Sequence, residues 1–149
     1  MARVRLHRER TRPLPPAYPD DLGLLRRLVC EGLYWQDEVE ELLLAIRDGG
    51  DLGELSRAGG PYISRYEAMR VELRAVRHPQ LRSHAAALDE VFASHAMVLH
   101  CALDLLAVSW RSERLREEQS RLGGLGGQSV RLVMLADEIK ALAERASAG

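Results

Sequence analysis

The residues best equipped for chemistry lie on one stretch of the chain, between positions 84 and 104. His84 and His95 are eleven residues apart, which leaves them about 20° apart around an α-helix, on one face. His95 falls on an apolar stripe with Leu88, Phe92, Leu99 and Ala102. His100 stands four residues before Asp104, and side chains at i and i+4 of a helix meet. That spacing lets a histidine and a carboxylate share a metal ion. His84, His95, His100 and Asp104 are therefore the candidate lining of an interior site for a small ligand, a metal ion or a haem. A metal centre needs three or four ligands, and neither paired Glu-x-x-His segments nor His-Glu-x-x-His is present. The plainer role for His95 is a neutral imidazole hydrogen-bonded in a core. No cofactor is expected.

Nucleophiles are poorly placed. Cys30 and Cys101 sit inside apolar helical patterns without CxxC spacing, and read as small buried side chains in a reducing compartment. No serine stands in Gly-x-Ser-x-Gly. The glycines at 123, 124, 126 and 127 follow a helical pattern and precede Gln128-Ser129. A phosphate loop needs a strand before the glycines and Lys-Ser/Thr after them, so this run reads as an interhelical hinge. No catalytic residue is expected, and the chain reads as a non-enzyme.

Charge is more organised than reactivity. Residues 20–60 sum to −6, with Asp37, Glu38, Glu40 and Glu41 clustered, whereas residues 61–83 sum to +3. Arg70, Arg74 and Arg77 fall at i, i+4 and i+7, a row that would suit the acids of the first helix or, more sharply, a phosphate or acidic partner. Five arginines against Glu9 give the first twelve residues a charge of +4. The neighbouring acids and a net charge of −1 argue against nucleic acid.

The elements that would position these groups are helical. Ala, Leu, Arg and Glu dominate, Phe92 is the only phenylalanine, and β-branched residues are scarce; a sheet needs more of both. Of the 21 basic residues only Lys140 is lysine, a bias that points to a GC-rich, bacterial coding sequence. With 149 residues, 46% of them hydrophobic and 29% charged, the chain fits one ordinary domain. No run of 18 apolar residues and no secretory h-region occur, so the expectation is a soluble, cytoplasmic protein outside membranes.

Residues 1–20 form an extended arm, where Pro13, Pro15, Pro16 and Pro19 oppose a helix. Residues 21–149 form the bundle. Helix one is expected over 21–47, with a seam of Leu25, Leu28, Gly32, Trp35, Val39, Leu42 and Ile46 in steps of three and four. Gly32 on that seam would let another helix come close. Residues 48–60, with five glycines, read as a loop, and helix two would start at Pro61 and run to about Arg77. Helix three would run from 80 to 122, apolar nearly all round at first and charged after Trp110. Helix four would follow Ser129 on Val130, Val133, Leu135, Ile139 and Leu142.

The expected fold is an all-α antiparallel four-helix bundle with a long central third helix and an extended N-terminal arm. A helix apolar on every side needs cover, so a homodimer is expected through Val91, Phe92, Val98, Leu99, Leu105 and Leu106. The function that follows is protein–protein interaction in a small regulatory or adaptor role, self-association first, with room for a second protein partner. The alternatives are the ligand-, metal- or haem-binding interior and a nucleic-acid-binding regulator using the basic arm.

Overall fold

The computed structural model describes residues 17–107, 117–118 and 120–148. They form four helices: α1 (Tyr18–Arg47), α2 (Leu52–Leu73), α3 (Arg82–Ala107) and α4 (Gly127–Ala148). No strand occurs among the described residues. Cross-helix pairs give the topology. Arg27 reaches Glu72, and Glu38 accepts from Tyr62, so α1 and α2 run antiparallel. Gly59 faces Leu103, and Arg70 faces Asp89, which reverses α3 against α2. Glu90 meets Arg131, and His84 meets Glu138, which reverses α4 against α3. Glu40 accepts from Leu125, and Gly32 faces Leu132, closing the ring of an up-down-up-down bundle. Among the described residues α4 packs on α1 and α3 and not on α2.

The seam on α1 is the spine of the core. Leu25, Leu28, Val39 and Ile46 are fully enclosed there. Gly32 has the expected use. A Cβ at that position would lie 2.5 Å from the edge of the Phe92 ring, so α1 and α3 approach at a distance only glycine allows. At one end of the bundle buried Asp21 accepts from the backbone N–H groups of Arg77 (2.9 Å) and His78 (2.8 Å). It satisfies donors freed where α2 ends, and Tyr18 meets the His78 ring edge-on.

Four expectations are corrected. α1 begins at Tyr18, with Pro19 in its first turn, where a missing N–H costs nothing. α2 begins at Leu52, nine residues before Pro61. Asp51 caps it by accepting from the Glu54 N–H at 2.9 Å, and Gly59 is needed because Leu103 lies against its Cα. One of the glycines that suggested a loop thus serves close packing inside a helix. Cys30 and Cys101 are exposed, not core residues. On α4 the buried stripe is Leu132, Leu135, Ile139 and Ala143, leaving Val130 and Val133 outside. Residues 1–16, and the continuation of helix three over 108–116, lie outside the described residues. α3 over Arg82–Leu106 has the length and apolarity to cross a membrane; in the bundle its Leu88, Val91, Phe92, Leu99 and Ala102 are core.

Candidate functional site

The four residues expected to line an interior site do not converge. His95 is fully buried, His100 and Asp104 are exposed, and His84 turns to α4, where its Nε2 lies 3.5 Å from Glu138. Among the described residues no group of three or more His, Cys, Asp or Glu side chains could hold a metal ion. These four residues therefore do not share one metal site. His95 and His100 lie about 140° apart around the helix, and only His95 is buried.

His95 instead belongs to a polar layer across the bundle. Its Nδ1 lies 3.3 Å from the Tyr66 hydroxyl, with the rings edge to face. Burial pushes the His95 pKa down from 6.5 to about 4, against a smaller raising effect of the Gln128 backbone. Burial also pushes the Tyr66 hydroxyl up, and the charge of Glu40 adds to this. His95 is therefore neutral at pH 7 and Tyr66 protonated. The His95 Nε2 and the side-chain oxygens of Gln36 and Gln128 are buried without a well-formed hydrogen bond. Register puts them at one level. Gln36 lies one turn from Gly32, which faces Phe92 and Leu132, and one turn from Glu40, which faces Leu125. His95 and Gln128 are each about one turn from those partners.

A second grouping escaped the sequence reading. Tyr34 and Trp35 meet edge-on at 5.0 Å, and Trp35 meets Tyr62 of α2 at 5.5 Å. The Tyr62 hydroxyl donates to Glu38 at 3.2 Å. Burial raises the Tyr62 pKa, and Glu38, Tyr34 and Glu41 raise it further by hydrogen bonding and charge. Three aromatic rings and two carboxylates thus share the outer seam of α1 and α2, with Tyr34 60% exposed. The legible signal was the pair Tyr34-Trp35 followed by acids at 38 and 41. Tyr62 lies far along the sequence, and only the packing of α2 on α1 brings it to this pair.

The arginine row is broken up. Arg70 is held by Asp89 at 3.0 Å, and that bond raises its pKa. Arg74 is the C-cap of α2, and Arg77 lies beyond the helix with its backbone N–H on Asp21. The acidic region 20–60 and the basic region 61–83 do pair, through Arg65 and Glu31, but not through the side chains of this row. The α1–α2 ion pairs are Arg27–Glu72 and Arg65–Glu31.

The dimer face expected on α3 is corrected too. Val91, Phe92 and Leu99 are fully enclosed, Leu106 is 7% exposed, and Val98 packs on the core. Leu105 is half-buried. α1, α2 and α4 cover this helix within one chain, so these side chains offer no continuous surface. Large apolar side chains lie open elsewhere. Val130 (61% exposed), Val133 (46%) and Met134 (58%) are grouped on the outer face of α4. A shallow depression between α1 and α4, lined by Arg26, Lys140, Ala143, Glu144, Ser147 and Ala148, includes none of the histidines. Compared with family models, with curated proteins and with solved structures, the chain matches none.

Proposed function

We propose that this chain is a non-catalytic helical bundle that acts by binding protein in a regulatory or adaptor role, and that it binds a second copy of itself first. One observation carries the reading: the first two turns of α4 are apolar on both faces. Leu132, Leu135 and Ile139 fill the core while Val130, Val133 and Met134 stand in water one turn apart. A helix apolar on two sides is one covered on two sides, and grouped exposed apolar side chains mark interaction surfaces. A twofold pairing of α4 helices covers both rows at once. Three roughly half-exposed side chains are worth about 3 kcal/mol per chain on burial, before the cost of association. The expected dimer is therefore weak. Light scattering during size exclusion, over a range of protein concentrations, tests it. The mass should rise above the 16.7 kDa of one chain at tens of micromolar, and the double variant Val130→Glu/Met134→Glu should return it to a single chain. A wild-type mass of one chain at every concentration overturns the reading.

A further inference from the structure

The outer seam of α1 and α2 carries chemistry that pairing through α4 does not use, since α4 does not pack on α2 among the described residues. Tyr34 and Trp35 stand nearly at right angles with ring centroids 5.0 Å apart, and Trp35 meets Tyr62 of α2 at 5.5 Å. Tyr34 is 60% exposed, so much of its ring is open to a further contact. Glu38 and Glu41 follow on the same side of α1. At 100° per residue they lie about 40° and about 20° to either side of Tyr34, one and two turns further along.

These carboxylates stand without a cation. Glu38 accepts from the Tyr62 hydroxyl through one oxygen, and among the described residues neither Glu38 nor Glu41 has an ion pair. The two α2 cations that flank Tyr62 in sequence are used elsewhere. Arg65 is bound to Glu31, and Arg57 donates to the Gly53 carbonyl of its own helix. The charges of Glu38 and Glu41 both act on the Tyr62 hydroxyl, so negative charge and aromatic surface share one patch. A guanidinium suits both halves of it, because it stacks flat on a ring and hydrogen-bonds a carboxylate through its edge. Side chains one turn apart have Cβ atoms about 5–6 Å apart, so a guanidinium over Tyr34 reaches the second oxygen of Glu38. Glu41 lies one turn beyond, and like-facing side chains of an extended peptide recur about every 6.6 Å.

We propose that Tyr34, Trp35, Tyr62, Glu38 and Glu41 form a docking surface for an extended peptide of a partner protein that carries arginines at alternate positions. One guanidinium stacks on Tyr34 and donates to Glu38, and the next donates to Glu41. Trp35 and Tyr62 hold the platform. Their ring contacts and the bond from Tyr62 to Glu38 fix the first ring and carboxylate before the peptide arrives, which lowers the cost of ordering them. The proposal deepens the reading of the chain as a protein binder, and it does not need α4 to pair.

Amide-correlation NMR of the full chain tests the docking with a defined probe, the acetylated and amidated peptide Gly-Arg-Gly-Arg-Gly. The titration is made in Val130→Glu/Met134→Glu, so that its outcome is independent of pairing through α4. Signals of Tyr34, Trp35, Glu38, Glu41 and Tyr62 should shift and saturate at roughly millimolar peptide, as exposed contacts of this kind are weak. The lysine counterpart of the peptide should bind about threefold to tenfold more weakly, because an ammonium has no flat face and no fork. Glu38→Gln/Glu41→Gln keeps an acceptor for the Tyr62 hydroxyl, and Tyr34→Ala changes no charge. Each should weaken binding about threefold to tenfold. Absence of shifts at these five residues overturns the proposal, as does equal affinity for the two peptides or unchanged affinity in Tyr34→Ala. Shifts at the same residues that grow with protein concentration alone make a second copy the occupant and overturn the assignment to a partner peptide. Circular dichroism of each variant separates lost docking from lost fold, and the comparison of the two peptides needs no change at the site.

Discussion

Acid should unfold this bundle through His95. The imidazole is fully buried, and burial lowers its pKa from 6.5 to about 4. The unfolded chain binds a proton at that residue as pH falls through about 6.5, whereas the folded chain waits until about 4. Between these values the unfolded state holds one more proton, so stability falls with pH by about 1.4 kcal/mol per unit. The loss over the whole window is roughly 3 kcal/mol, a large part of a typical domain's stability. Below pH 4 His95 adds nothing further. Carboxylates titrate in the same range, so the test is a difference. Urea unfolding followed by circular dichroism at pH 7, 6, 5 and 4 is compared between the wild type and His95→Gln. The variant loses the ring's packing against Tyr66 and is less stable throughout, but its dependence on pH should be shallower by one proton between 6.5 and 4. Parallel curves would refute the reasoning, since they would mean that His95 gains its proton equally in both states.

Three further outcomes follow from the packing. Gly32→Ala should destabilise by about 1–2 kcal/mol, because overpacking against the enclosed Phe92 ring outweighs the roughly 1 kcal/mol gained in helix propensity; Phe92→Leu in the same chain should recover part of the loss in a thermal melt. Asp21→Ala should cost about 2–3 kcal/mol in urea unfolding, as it strips the acceptor from two backbone N–H groups at the end of α2. Deleting residues 1–16 should leave the melting temperature within a few degrees, because this proline-rich stretch has few apolar side chains to bury.

The fold class was legible because α1 and α3 carry long apolar periods with few alternatives. The seam from Leu25 to Ile46 maps onto the core except at Trp35, which is only partly buried while Gln36 is enclosed, and Gly32 announced a close helix contact that Phe92 makes. The start of α2 was not legible. Three glycines and Pro61 within Leu52–Leu73 outweigh in local propensity what Asp51 capping and the Gly59–Leu103 contact supply in the fold. Tyr62 belongs to helix two with either start, but the sequence alone does not fix how that helix registers against α1. In the bundle Tyr62 falls opposite Trp35 and Glu38, and the adjacent pair Tyr34-Trp35 gains a third ring from a distant part of the sequence.

α4 shows why a surface is harder to read than a core. Val130 and Val133 stand three residues apart, so spacing alone offers them as a buried stripe. Leu132, Leu135 and Ile139 form a competing stripe of similar apolarity. Intrinsic hydrophobicity does not choose between the two; the space beside Gly32 and Phe92 does, because Leu132 fits there. The unchosen stripe is then left in water with Met134 beside it. Had α4 carried one apolar face, its phase would have been legible and its outer surface polar. The ambiguity in the sequence and the exposed row in the structure have the same source: this helix holds more apolar side chain than one bundle can cover.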